Sequence, residues 1–190
     1  MALILASTSQ IRRHMLDAAG VDYRAVKPEV DESQLKQQLS DPCEIAGALA
    51  AAKALSIGTH KWVIGSDSVV SVDGRLFDKP RDRAEAAEHL RFFSGKPMHL
   101  TSAVALAHRA AVDWQHTSSA VLQVRTLSDL FIADYLDAEW PEVGYTVGVF
   151  RLEARGVLLF DRIDGDHFTV LGMPLIQLLG ALRERGLLPS

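Results

Sequence analysis

Apolar and polar residues along this chain fall into two alternating rhythms. Residues 2–6, ALILA, are an unbroken apolar run that gives way to Ser7, Thr8 and Ser9, and a run of that length predicts a buried strand. Behind Ser9 as N-cap, Ile11, Met15 and Ala19 keep an i, i+4 stripe, which predicts a helix ended by Gly20. Residues 21–26 predict a short strand, and the polar stretch 27–40 a loop or irregular helix. Asp41-Pro42-Cys43-Glu44 joins a capping box to a proline in the first helical turn, so a helix runs from there towards Gly58. Asp82-Arg83-Ala84-Glu85 repeats the box and opens a helix that stops before Gly95.

Between those helices lies WVIGSDSVVSVDGRLF, residues 62–77. Val70, Val72 and Leu76 flank Asp73-Gly74, a strong two-residue hairpin signal. Residues 97–107 and 116–126 predict a longer hairpin around 108–112. Ser128 caps a helix through Leu136, and short strands are expected at 149–152 and 156–160. Pro174 starts a last helix, apolar at Leu175, Leu178, Leu179 and Leu182, and Gly186 ends it. Hairpins mixed with helical crossovers imply an α/β fold with a mixed sheet. With no repeat, linker or low-complexity segment, residues 1–190 read as one domain.

Composition narrows the function classes. At 48% hydrophobic and 23% charged residues, the chain can bury a sizeable core. A net charge of -4 gives no global basic field, so nucleic acid is not the expected partner. The single Cys43 forms no internal disulfide and points to a reducing compartment. MALILA is too short for a signal peptide, and no apolar run approaches the roughly 20 residues that span a bilayer. A cytoplasmic protein without a membrane partner is expected.

Arg12 and Arg13 are the first unusual feature. They stand in the first turns of the expected helix, where its partial positive charge makes a cation unfavourable by roughly 0.3–1 kcal/mol. They become favourable if an anion sits at the helix N-terminus, where backbone N–H groups and the hydroxyls of Ser7 and Ser9 converge. The alternative is an ordinary capped helix whose arginines reach water. Asp67 is the second feature, because a carboxylate inside an apolar run needs a partner or a task. Asp31-Glu32 stands in a polar stretch. Mg²⁺ is typically held by one or two carboxylates plus the substrate's phosphates, so Glu32 and Asp67 would suffice if the fold unites them. Backbone-satisfied Asp67 and a solvated Glu32 are the plain alternatives. Lys53 lies among Ala and Leu on its helix, where snorkelling is the usual explanation, and Pro80 fixes the turn that aims Lys79. The seven histidines show no metal-ligand spacing. Walker A, GxGxxG and nucleophile-elbow motifs are missing.

In order, the motifs are LASTSQIRR (5–13), VDE (30–32), GSDSVV (65–70), DKP (78–80), Ser94-Gly95 and GDHFTVLGMPL (165–175). This series resembles the Maf (septum-formation inhibitor-like) family of nucleoside triphosphate pyrophosphatases, across nearly the whole chain. The resemblance implies an elongated mixed β-sheet with flanking helices, two lobes around a central cleft and often a homodimer. It further implies cleavage of a nucleoside triphosphate to the monophosphate and pyrophosphate. By the same carry-over Asp67 activates water, Glu32 and Asp67 hold a divalent metal (Mg or Mn), and Ser7, Ser9, Arg12, Arg13, Lys53 and Lys79 address the phosphates.

Three positions divide the family by base, and here they hold Ile11, Ser68 and Glu153. The thymidine/uridine branch usually has Arg, Thr and Gln there, and the branch resembling 7-methyl-GTP pyrophosphatases has Trp, Gln and Glu. An ionised Glu153 only accepts, which suits the N–H donors of guanine and opposes the carbonyls of uracil or thymine. Ile11 lacks the aromatic face that attracts a methylated, cationic base, and Arg155 stands beside the segment in place of a small residue. A guanine-type substrate is the expectation. The alternatives are a dTTP/UTP pyrophosphatase of the same family, or a nucleotide-binding regulator of cell division with little turnover.

Overall fold

The computed structural model describes residues 3–189; Ala2, the first residue of the expected opening strand, lies outside them. The chain forms two compact units, each discontinuous in sequence. One comprises Met1–Ser68, Thr101–Ser118 and Asp166–Ser190, the other Val69–Leu100 and Ser119–Gly165.

In the first unit, strand β1 (Leu3–Ala6) pairs in parallel with β2 (Tyr23–Val26) and with β3 (Val63–Val72). All four β1 residues are buried, which is why the segment reads as a continuous apolar run rather than an alternating one. Helices α1 (Gln10–Ala18), α2 (Glu32–Gln38) and α3 (Pro42–Leu55) connect these strands. Asp31 and Asp41 accept hydrogen bonds from the first backbone N–H groups of α2 and α3 respectively. The polar 27–40 stretch thus contains a regular helix with Asp31 as its cap. Near the C-terminus, α6 (His167–Val170) and α7 (Leu175–Glu184) complete the unit. Leu178 and Leu182 of α7 join Leu5, Leu16, Ile64 and Leu106 in one buried cluster. Each such side chain removed from water contributes roughly 1.5–3 kcal/mol.

In the second unit, Asp73 and Gly74 adopt φ of 52° and 74° and turn the chain from β3 into the antiparallel β4 (Arg75–Phe77), as the two-residue signal predicts. Helices α4 (Arg83–Phe93) and α5 (Asp129–Glu139) lie side by side, with Arg91 Nε 2.6 Å from Asp129 and Arg83 paired with Asp137. Long strands β5 (Pro97–His108) and β6 (Ala111–Val124) have residues in both units, and β7 (Phe160–Asp164) runs antiparallel to β6. The seven-stranded sheet has the order β2-β1-β3-β5-β6-β7, with β4 on β3, so the expected mixed α/β architecture is present.

Two expectations are corrected. The β5–β6 turn is two residues, Arg109 and Ala110, not the wider 108–112 loop, and both take positive φ (53° and 62°). Neither is Gly, Asn or Asp, so composition hid a turn that the strands impose. No strand spans 149–152: Gly148 and Val149 turn left-handed at φ 82° and 58°, and Arg155–Leu159 forms a 3₁₀ helix ahead of β7. Val149, Phe150 and Leu159 are buried without extension, while Val157 and Leu158 are exposed.

Candidate active site

The parallel pairing of β1 with β3 ends at Ala6 opposite Gly65. Ser7 and Ser66-Asp67 therefore follow at the carboxyl end of β1 and beside it on β3, the edge at which open α/β sheets take ligands. Ser7 is buried, and its Oγ accepts the N–H of Ser9 at 3.1 Å. Ser9 has the backbone of an N-cap, but its side chain caps nothing, so the hydroxyl expected to close α1 leaves the first amides without a side-chain acceptor. Arg13 folds back weakly, with its guanidinium 3.4 Å from the Ser7 carbonyl. Its buried Nε has no hydrogen-bond partner among the described residues, an unmet donor next to an uncapped helix end.

Glu32, Lys53 and Asp67 do converge. Lys53 Nζ stands 2.8 Å from Glu32 Oε1 and 2.5 Å from Asp67 Oδ1. The lysine side chain is only 11% exposed, so it does not snorkel to water. Gly65 explains how a helix comes so near. A Cβ there would overlap the Ala50 carbonyl and the Ala54 amide of α3, so only glycine lets α3 lie flush on β3. Lys53, one residue before Ala54, is thereby delivered to Asp67, two residues after Gly65. An ammonium lodged between two carboxylates shows that this position favours positive charge and offers oxygen donors. Glu32 and Asp67 thus fit a hard divalent cation whose remaining ligands are water and substrate phosphate.

Arg12 points elsewhere. Its Nε donates to the Gly172 carbonyl at 2.9 Å, Nη1 to the Ser66 carbonyl at 2.9 Å and Nη2 to Ser68 Oγ at 3.1 Å. Loss of solvent pulls the Arg12 pKa down, and the nearby charges of Asp67 and Glu32 push it back up. Ser68 Oγ is 2.9 Å from Ser102 Oγ and 3.2 Å from the Gly172 carbonyl. Ser102 spends its proton on the Thr169 carbonyl at 2.8 Å, and Ser66 Oγ also donates to Gly172 at 3.1 Å. The Ser68 hydroxyl is therefore consumed internally, although sequence placed it among the specificity positions. Ser66, Ser102 and Gly172 are residues that sequence reasoning passed over. For Ser102 the signal was the pair of hydroxyls, Thr101-Ser102, within the apolar stretch of β5 between His99 and His108.

Lys79 and Glu153 belong to the second unit, and both are exposed; Ile11, in the first, is half-buried. The segment carrying Glu153 is pinned within its own unit. Arg151 gives Nε and Nη2 to one oxygen of the buried Glu139, at 3.2 and 2.9 Å, and Tyr135 donates to the Val149 carbonyl at 3.0 Å. Burial first, then the charge of Glu139, raises the Tyr135 pKa, so its hydroxyl stays a donor.

The mixed α/β sheet thus carries a lysine-bridged carboxylate pair, and the N-terminus of α1, where backbone amides favour anions, follows β1. The family model "Maf-like protein" matches residues 2–185, and the chain belongs to that family. It is 44% identical over 191 residues to the 7-methyl-GTP pyrophosphatase of Rhizobium meliloti (strain 1021), covering 97% of this chain and 96% of that protein. It is 43% identical over 198 residues, with full coverage of both chains, to the nucleoside triphosphate pyrophosphatase of Sphingopyxis alaskensis. A second 7-methyl-GTP pyrophosphatase, from Rhizobium etli, is 42% identical over 97% of this chain and 96% of its own length. No helix among the described residues is long and apolar enough to cross a membrane.

Proposed function

We propose that this chain hydrolyses the α–β phosphoanhydride of a nucleoside triphosphate, releasing the monophosphate and pyrophosphate. The observation that carries the reading is the Glu32–Lys53–Asp67 bridge just past the carboxyl end of β1, in a chain whose relatives of similar length are named pyrophosphatases. A triphosphate repels an incoming nucleophile, so the site must first neutralise it. Lys53 supplies one fixed cation. Arg13, with its unmet Nε, and the open amides of α1 supply further donors beside Ser7 and Ser9. Glu32 and Asp67 would hold Mg²⁺ or Mn²⁺, which when bound adds charge neutralisation at the phosphates. Asp67, the better buried of the two carboxylates, is the acceptor for the proton of the attacking water.

For substrate choice, the acceptor-only Glu153 supports a guanine-type base such as that of 7-methyl-GTP. Lys79 is assigned to the phosphates by the family resemblance.

Pyrophosphate release from a panel of ordinary and modified nucleoside triphosphates tests this. Asp67→Asn should lower kcat about 10²–10⁴-fold, the usual span for a general base. Turnover of guanine-type nucleotides supports the Glu153 assignment, whereas turnover confined to dTTP and UTP overturns it. Nucleotide binding without any release would make the chain a regulator instead. EDTA should abolish release and added Mg²⁺ or Mn²⁺ restore it; unchanged activity in EDTA would remove the metal from the reading.

A further inference from the structure

We infer that Arg12 is a positioning residue: together with the Gly172 carbonyl and Ser102 it clamps the residues on both sides of Asp67, Ser66 by its carbonyl and Ser68 by its hydroxyl, and it is not a phosphate ligand. The inference rests on the proposed pyrophosphatase activity for its kinetic readout and on hydrogen-bond geometry for its substance.

In a strand, alternate side chains face opposite sides, so Ser66 and Ser68 share the face that Asp67 turns away from. Ser66 Oγ donates to the Gly172 carbonyl at 3.1 Å, and Ser68 Oγ stands 3.2 Å from the same oxygen, its single proton serving either that carbonyl or Ser102 Oγ. Arg12 joins that carbonyl from a third direction and also takes the Ser66 carbonyl, just past the last residue of β3 that β1 pairs with. Gly172 is held at φ 106°, a region other residues rarely adopt, and a Cβ there would stand 3.2 Å from Ser68 Oγ. Ser102 closes the network by linking Ser68 to the Thr169 carbonyl. The residues before and after Asp67 are thus tied by side chains, which fixes the direction in which the carboxylate leaves the strand. Arg12 has a flat fork of donors, and its three mapped bonds run to three different acceptors on β3 and on the segment before α7. A lysine cannot make them together.

Arg12→Lys and Ser102→Ala decide the matter, each measured for kcat and for the Kd of a non-hydrolysable α,β-methylene nucleoside triphosphate. Ser102 is fully buried and touches no ligand in either reading. A clamp predicts that kcat falls at least 30-fold in Arg12→Lys and about 5–10-fold in Ser102→Ala, while Kd stays within threefold. A Kd weakened tenfold or more in Arg12→Lys, with kcat held and Ser102→Ala unchanged, overturns the clamp and makes Arg12 a phosphate ligand. Wild-type protein that releases no pyrophosphate refutes the proposed activity rather than the clamp. The clamp is then decided by the crystal structure of Arg12→Lys: loss of the Asp67–Lys53 contact supports it, and an unmoved Asp67 refutes it.

Discussion

His89 packs edge-on to Phe77, with ring centroids 5.1 Å apart, and its buried Nδ1 has no hydrogen-bond partner among the described residues. Burial holds its pKa below the ordinary 6.5. Glu85, Glu88 and Asp78 pull upward and Arg75 pushes further down. A histidine with a depressed pKa is folded in its neutral form, and the unfolded chain binds the proton first as pH falls. Its contribution to stability is therefore complete above about pH 6.5 and shrinks as pH drops from there towards the lowered folded value. Urea midpoints at pH 5 and pH 7.5 should differ less in His89→Phe than in the wild type; an equal difference would clear His89 of the effect. At this scale, residue types were readable and directions were not. Asp67, Glu32 and Lys53 stood out because charge inside apolar or alanine-rich surroundings demands a reason. Arg12 and Arg13 looked alike as neighbours at a helix start. One turns into the protein and the other stays with the unsatisfied donors, because successive residues on a helix project about 100° apart.

At the level of elements, the seam between α3 and β3 sets the site. Its glycine is as necessary as its charges, since Ala50, Ala54 and Gly65 leave no spare volume. Gly65→Ala should destabilise the protein by about 3 kcal/mol or more, the upper end of overpacking penalties, because the obstructing atoms are mostly backbone. It should also reduce turnover by moving Lys53. A denaturation midpoint equal to wild type would show that α3 can slide away at no cost. Asp41→Ala, which removes the side-chain acceptor for the Cys43 and Glu44 amides, should cost about 0.5–2 kcal/mol in the same experiment. Helices announced themselves through such caps: Asp41, Asp82 and Ser128 all accept hydrogen bonds from amides of the first turns they precede. The 149–160 region was misread because its buried apolar residues, Val149, Phe150 and Leu159, sit on turns and a 3₁₀ helix while Val157 and Leu158 are exposed, and an apolar run alone does not separate that from a strand.

Across the molecule, neither compact unit is a contiguous piece of chain. Strands β3, β5 and β6 each begin in one unit and end in the other. Trp62 and Trp114 belong to the first unit and Trp140 to the second, which gives each its own fluorophore. With three strands shared, tryptophan fluorescence and backbone circular dichroism of the one chain should report the same urea midpoint. Separate midpoints would mean that the units unfold independently. The one-domain expectation rested on the absence of a linker; the motif series implied two lobes, but periodicity and composition carry no signal for a boundary that runs through the middle of strands.

The Gly172 carbonyl, 160 residues from Arg12 in the chain, gives the protein a schedule as well as a shape. A nascent chain acquires Glu32, Lys53 and Asp67 early, and Ser68 already has Arg12 behind it, but the carbonyl that Arg12, Ser66 and Ser68 all approach lies 104 positions beyond Ser68. At about 5–20 residues per second that separation is a wait of roughly 5–20 seconds. Throughout it the carboxylates are synthesised and the strand that aims one of them lacks its last anchor. The segment around Gly172 therefore sets the order of assembly: the charges come first, and the contact that completes their support comes last.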